Sequence, residues 1–296
     1  MSHILAVGIA TLDVINIVDE YPKEDTEMRA SGQRICRGGN ATNTLVVLSQ
    51  LQHQCTWAGV WVDEPDGHII LADLQRHNIN THYCHIEKTG KVPTSYILLS
   101  QQTGTRTIVH YRNIGEFSFE QFQKIDLSNI DWLHFEGRNV IETHKMLQWV
   151  KQQQPYLPIS LEIEKPRLGI ERLFQYVDLL LCSQSFANHH AYYNATEFLH
   201  DLRQQVADTD LVCAWGHLGA YAIDRRGKVL HSPAYPPPQV IDTLGAGDTF
   251  NASLIDSFCQ QQDLSTALHE ACWLAGKKCG QVGLERLSRA QILKSI

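Results

Sequence analysis

Near-continuous apolar runs, each handing over to a stretch of helical spacing, recur along this chain and restrict its fold more than any other feature. A run that is apolar at every position is a strand covered on both faces. Such strands belong to parallel sheets joined by crossover helices. The opening HILAVGIATLDVINIV begins in this way and reads as a buried first strand. RGGNATNTLVVLSQLQ then reads as a glycine turn entering a helix, with Leu45, Val46, Leu48 and Leu51 on its apolar side. TWAGVWV (56–62) is a second strand and GHIILADLQRH a second helix. Later the rhythm resumes with DWLHFEG, THKMLQWVKQQ, PISLEIE, DLLLCS and LVCAWG. AYAIDRRGKVL folds back at Arg226-Gly227, and two helices beginning near Gly245 and Ser265 end the chain.

The alternation breaks once. TSYILLS and RTIVHY flank the polar Gln101-Gln102-Thr103-Gly104-Thr105, the pattern of a β-hairpin with no helix between its strands. A small β-flap standing off the main sheet accounts for it. No repeat and no linker divides the sequence, so residues 1–296 read as one α/β domain with a β appendage.

Charge and cysteine usage narrow the function classes. Lys and Arg number 25 against 32 Asp and Glu, a net charge of −7 with no basic run, which argues against coating nucleic acid or an anionic membrane. The apolar stretch from Ile4 to Ala10 is too short for a membrane span and lacks a basic leader. The eight cysteines are scattered with no C-x-x-C pair, which reads as reduced, packed thiols and a cytoplasmic protein. The 15 histidines form no zinc pattern.

The segment most informative about chemistry is Ile241-Asp242-Thr243-Leu244-Gly245-Ala246-Gly247-Asp248-Thr249, continuing into a helix. Gly245, Ala246 and Gly247 let backbone pass close to a ligand, and free N–H groups at a helix start make an anion pocket. Asp248 in that first turn either caps the helix or acts as a general base toward a hydroxyl. Neither a P-loop nor a full dinucleotide fingerprint is present. A second cluster, Arg37-Gly38-Gly39-Asn40-Ala41-Thr42-Asn43, sets two amides on one face of a helix start. Paired amides suit sugar hydroxyls, although Asn40 could equally be an N-cap. Asp13, at the end of the first strand, is a third polar group where open sheets bind ligands. Arg106 on the hairpin suits a phosphate or is a solvated flap residue.

Together DTLGAGDTFNA, RGGNATN, LDV and the β-hairpin resemble the ribokinase/PfkB family of sugar kinases. YPKED (21–25), HFEGRN (134–139), EIEKPR (162–167), YPPPQVIDTLGAGDTFNAS (235–253) and AGKKCG (275–280) resemble the ketohexose-phosphorylating branch of that family, almost end to end. The resemblance implies a ribokinase-like fold: a mostly parallel central sheet flanked by helices, with a small β-sheet lid built from about 13–36 and 93–112. It implies Asp248 as catalytic base, Gly245, Ala246 and Gly247 as anion hole, and Arg106 as a lid arginine reaching the phosphates. Asp13, Gly39, Asn40 and Asn43 match sugar binders. Trp215, Gly216, Gly219, Ala220, Pro237 and Cys272 fall where the family cradles ATP. Asp242 and Thr243 fall where many members hold a monovalent cation, with potassium as activator. It also implies a homodimer of interlocked lids in which Asp25 reaches the partner's sugar; read alone, Asp25 is a solvated turn residue.

Two departures stand out. The N-x-x-E motif that orders magnesium-bound water in many relatives is replaced by Cys182-Ser183-Gln184-Ser185-Phe186. Magnesium ligands are therefore unassigned, with Glu162 and Glu164 as candidates. Gly216-His217-Leu218 replaces an acidic stretch expected after Trp215. The expectation is an ATP- and magnesium-dependent kinase acting on the carbon-1 hydroxyl of D-fructose or a similar ketose. The alternatives are a kinase of another sugar and a sugar-binding regulator with little turnover.

Overall fold

The computed structural model describes residues 1–288. Apolar runs supply a nine-stranded sheet in the spatial order Val229–Ser232, Ala220–Ile223, Asp210–Ala214, Leu179–Ser183, Ile159–Ile163, Trp132–Glu136, His3–Val7, Gln54–Ala58 and Ile79–Asn80. Neighbours are parallel except at the Val229 edge, where the last two strands turn antiparallel. Ile4 and Ala6 pack into one apolar cluster while Leu5 and Val7 pack into another. Leu179 and Leu181 alternate with Leu180 and Cys182 in the same way. Both faces are dry, which is why these strands lack polar alternation.

The helices Asn40–Gln50, Pro65–Arg76, Ala246–Cys259 and Leu264–Cys279 close one face. Val140–Gln153 and Ala195–Gln205 cover the other. New strands join His3–Val7 on both sides, at Gln54–Ala58 and at Trp132–Glu136. The crevice beyond the carboxyl ends of Val7 and Glu136 is therefore a topological switch point, where open α/β sheets bind ligands.

The opening run does not make one strand. It leaves the main sheet after Val7 and resumes at Thr11–Val18 in a separate four-stranded sheet, ordered Gly32–Gly38, Thr11–Val18, Thr94–Ser100 and Arg106–Tyr111. The crossing is tight: a Cβ on Gly8 would lie 2.5 Å from the Ala41 Cβ and 2.6 Å from Glu136 Oε2. Asp13 accordingly sits within the small sheet, correcting its placement at the end of the first main-sheet strand. TWAGVWV divides as well, because Val60–Val62 leaves the main sheet to pair with His85–Glu87.

Candidate active site

Asp248 lies in the first turn of the Ala246–Cys259 helix, with only 7% of its surface exposed. It does not cap that helix. The N-cap is Gly245, in the left-handed conformation at φ 79° with no side-chain cap, a backbone that suits glycine. The carboxylate turns instead to the Asn40–Gln50 helix, where Asn43 Nδ2 donates to Asp248 Oδ2 at 2.7 Å. Burial pushes the Asp248 carboxyl up to about 7; Glu164 and Glu136 add to the rise, against the Asn43 hydrogen bond and Arg37. A carboxylate poised near neutrality is matched to taking a proton from a hydroxyl.

Arg37 decides which way Asn43 faces. Its NH1 donates to Asn43 Oδ1 at 2.7 Å and to Thr42 Oγ1 at 3.0 Å, while Nε donates to Asp73 Oδ2 at 2.7 Å. With its oxygen taken, Asn43 presents its NH2 group to Asp248. Asn40 is not an N-cap either, because the cap position belongs to Gly39 at φ 101°. Asn40 Nδ2 donates to Glu162 Oε1 at 3.1 Å and Glu164 Oε2 at 3.2 Å, so its own Oδ1 is the atom left to accept from a ligand. Gly39 leaves no room for a side chain, whose Cβ would lie 2.3 Å from the Ile9 carbonyl oxygen.

Three further carboxylates crowd this end of the sheet. Glu162 is raised well above the usual range, by burial first and then by Asp248, Glu136 and Glu164, and its Oε2 is buried with no partner. Glu136 is also raised by burial; its Oε2 accepts from the Ile9 N–H at 3.0 Å, tying the crossing segment to the neighbouring strand. Among the described residues no cluster of three or more His, Cys, Asp or Glu side chains could hold a metal ion by itself.

The helix start offers fewer free amides than the motif suggests. Ala246 N–H is already donated to the Thr243 carbonyl at 3.3 Å. No acceptor among the described residues engages the N–H groups of Gly247 or Asp248, so these are the two free donors there. A Cβ on Gly247 would meet nothing within 4 Å, leaving open space over them.

The small sheet contributes from one face. Asp13 is in register with Cys36 and Ser95, and Ser95 with His110. Burial raises the Asp13 carboxyl despite a 2.8 Å hydrogen bond from Thr11 Oγ1. Arg106, on the same face, reaches across so that NH1 donates to Thr243 Oγ1 at 3.3 Å. Asp25 stands apart, exposed in the connection between two lid strands with φ 58°. Asp242 and Thr243 do not fit a monovalent cation. Lys278 Nζ donates to the Asp242 carbonyl at 2.6 Å, and the Asp242 carboxylate accepts from Arg34, Leu244 N–H and Gly283 N–H. Thr243 offers its oxygens to Ala246 N–H and Arg106. A free cation beside the Lys278 ammonium would meet like charge with its ligands already spoken for, so the assignment of these two residues is corrected.

Of the nucleotide candidates, Gly219 and Cys272 meet at the Ser232 carbonyl. A Cβ on Gly219 would lie 2.0 Å from the Ser232 carbonyl, and Cys272 Sγ donates to that carbonyl at 3.7 Å. Pro237 packs where a Cβ on Gly280 would lie 2.8 Å from its own Cβ. Gly216, at φ 60°, starts the turn that leads to Gly219 and Ala220. Trp215 differs. Its side chain is buried in the apolar cluster on the opposite side of the sheet, so it supports the turn and leaves only backbone to a ligand.

The residues that sequence reasoning missed are Arg34, Arg37 and Lys278 in their bridging roles. Their partners Asp242, Asp73 and Asp242 lie 208, 36 and 36 positions away, and a charged residue carries no local signal of a distant partner.

Comparison with known proteins agrees with this geometry. The model of the pfkB family of carbohydrate kinases matches residues 1–290. Ketohexokinase of Mus musculus is 40% identical over 291 residues, covering 96% of this chain and 98% of that protein. Fructosamine kinase FrlD of Bacillus subtilis (strain 168) is 26% identical over 282 residues, covering 90% and 89%. In fold, the structure of Arabidopsis thaliana ribokinase complexed with ribose and ATP superposes with a TM-score of 0.80 at 17% identity, covering 99% of this chain and 98% of that one.

Proposed function

The chain belongs to the pfkB family and is a carbohydrate kinase, and from that premise we propose that it transfers the γ-phosphoryl group of ATP to the carbon-1 hydroxyl of D-fructose or a similar ketose. The observation that carries this reading is Asp248: a buried carboxylate raised to about 7, not capping its helix, beside the free N–H groups of Gly247 and its own backbone. Likeness to ketohexokinase along nearly the whole of both chains supports the choice of a ketose.

In this mechanism Asp248 accepts the hydroxyl proton as the oxygen attacks the γ-phosphorus. Asn43, fixed by Arg37, holds the carboxylate in place. The Gly247 and Asp248 amides and Arg106 face the charge that develops on the phosphoryl oxygens. Asp13, Gly39 and Asn40 bind sugar hydroxyls, with Asn40 Oδ1 as an acceptor. The nucleotide lies along Gly216, Gly219, Ala220, Pro237 and Cys272. Magnesium bound with the ATP phosphates would neutralise part of their charge. Glu162, with its orphaned Oε2, and Glu164 are the carboxylates that suit its water shell.

The small sheet serves as the lid and as the dimer contact. Ile35, Tyr96 and Val109 align in one row through Val14, on the face away from Asp13, and are 52%, 49% and 65% exposed. A second lid is a suitable cover for such a row, and Asp25 would then reach the partner's sugar. The eight cysteines are free, consistent with a reducing cytoplasm, and no helix among the described residues is long and apolar enough to cross a membrane.

The test is ADP release with magnesium–ATP across a panel of ketoses and aldoses, with the product's phosphate position assigned by NMR. Fastest turnover with fructose and phosphate on carbon 1 is the expected result. Preference for an aldose, or phosphate on another carbon, replaces the substrate assignment. Absence of turnover with every sugar leaves a sugar-binding regulator.

A further inference from the structure

Lys278 has no exposed surface. Burying an ammonium is costly unless it is paired and hydrogen-bonded, so its partner indicates what the residue is for. From the last turn of the Leu264–Cys279 helix it reaches the loop that feeds the anion site. Its Nζ donates to the Asp242 carbonyl at 2.6 Å and lies 3.4 Å from Asp242 Oδ2. On the same carboxylate, Arg34 of the small sheet donates through NH2 to Oδ2 at 2.7 Å. Loop amides complete the arrangement, Leu244 N–H at 2.9 Å on Oδ1 and Gly283 N–H at 3.2 Å on Oδ2. The N–H groups of Ile241 and Asp242 donate to the Cys279 carbonyl at 2.8 and 3.2 Å.

Asp242 is therefore gripped by two cations from two different parts of the fold. It is three residues from Gly245, whose left-handed backbone sets where the helix starts and where the Gly247 and Asp248 amides point. The intervening Thr243-Leu244 has no regular structure of its own. Donors that stabilise a developing charge must be fixed before reaction, and a shift of the order of 1 Å in positioning can cost about a hundredfold in rate. Arg34 is bound to the lid, and its Nε is buried without a partner, so Asp242 is what holds the guanidinium.

We propose that Lys278 and Arg34 are positioning residues for phosphoryl transfer, clamping Asp242 between the final long helix and the lid so that the Gly247 and Asp248 amides aim at the transferred group. The proposal rests on the functional reading above, in which those amides take the phosphoryl oxygens. The positive charge at this loop is covalently built in. Arg34 makes the aim of the amides depend on where the lid stands.

Three variants test it: Lys278→Met, Arg34→Gln, and Lys278→Met combined with Asp242→Asn, which removes a buried charge pair together where the single change leaves an aspartate short of a partner. Two readouts are taken on the intact protein with sugar present. One is kcat and sugar KM; the other is calorimetric affinity for ADP with aluminium fluoride, a mimic of the phosphoryl in flight, set against affinity for ADP alone. Lys278→Met, or the double variant where the single one does not fold, lowers kcat at least about tenfold with sugar KM within twofold. It weakens aluminium fluoride–ADP binding by a similar factor, while ADP alone binds as in the wild type. Arg34→Gln shifts both in the same direction by a smaller factor. A folded double variant that retains both kcat and aluminium fluoride affinity within threefold overturns the clamp, as does a parallel loss of sugar affinity. If the wild type phosphorylates no sugar yet the variants lose aluminium fluoride binding selectively, the functional reading falls and the clamp stands.

Discussion

Asp248→Asn separates the chemistry of the carboxylate from its packing, because the amide keeps the shape and can still accept from Asn43 through its oxygen. A general base contributes roughly 10²–10⁴-fold, about 3–5 kcal/mol of barrier, and kcat should fall by that amount. Sugar KM should move little. The wild-type pH profile follows from a carboxyl at about 7. Roughly half of the free enzyme carries the base form at pH 7 and about a tenth at pH 6, so kcat/KM rises about tenfold per pH unit below the midpoint and flattens near pH 8.

The same shift sets a stability signature. The folded value lies above the usual carboxylate range, so protonation of Asp248 favours the fold. That contribution is complete below about pH 4 and is lost as pH rises through about 7. Asp248→Asn, permanently neutral, should therefore melt higher than the wild type at pH 8, with a smaller gain at pH 5. Calorimetric melts at the two pH values and coupled-assay kinetics from pH 5.5 to 8.5 measure all of this. A flat kcat/KM over that range, with the variant within threefold of wild type, would refute the base assignment. A melting gain that is larger at pH 5 than at pH 8 would refute the buried-charge account.

Gly39→Ala forces a Cβ to 2.3 Å from the Ile9 carbonyl at φ 101° and displaces the start of the Asn40 helix. Sugar KM should rise at least about tenfold, with a stability loss of about 1–3 kcal/mol in denaturant melts; an unchanged KM would detach Asn40 from sugar binding. Gly247→Val adds its side chain to space empty to 4 Å, so the melting temperature should hold while kcat falls at least about a hundredfold through obstruction of the anion site; normal turnover would move the phosphoryl elsewhere. For the lids, light scattering at micromolar concentration should report a dimer, and a mixed dimer of Asp25→Ala with Asp248→Asn should retain about half of wild-type activity, both defects falling on one site. A monomer, or a nearly dead mixed dimer, would exclude a trans role for Asp25.

Much of the fold was legible because burial on two faces leaves a mark on every residue of a strand. Leu179, Leu180, Leu181 and Cys182 are all buried, on alternating clusters. The opening run misled for the same reason. Leu12 and Ile15 of the small sheet are as buried as Ile4 and Leu5, and the crossing at Gly8 is made by close backbone approach, with no proline or polar turn to announce it. In the site, Asp248 and the two asparagines were legible because glycines and a helix start frame them. Whether Asp248 caps or reacts was not, since that depends on Asn43, which lies 205 residues away. The orientation of Trp215 was not legible: its ring joins the apolar cluster on the far face, leaving its backbone to a ligand.

Among the described residues, three links from the small sheet toward the Asp248 helix run through arginine. Arg37 holds Asn43, which holds Asp248; Arg34 holds Asp242; Arg106 holds Thr243. Arginine suits this work because a rigid, always-charged fork at the end of a long stem can span two layers and bond several oxygens at once. Arg37 is buried and also tied to Asp73, so its link is permanent. Arg106 lies on an exposed strand and meets Thr243 with a single 3.3 Å contact, so its link is the one that a phosphate can displace. Arg34 stands between them, partly exposed but paired with a buried aspartate. Under the proposed mechanism the proton acceptor would thus be held whether or not the lid is seated, whereas the groups proposed to meet the transferred phosphoryl would depend on it. That division would let the sugar hydroxyl be activated in place while transfer waits for closure, which would limit loss of the phosphoryl to water.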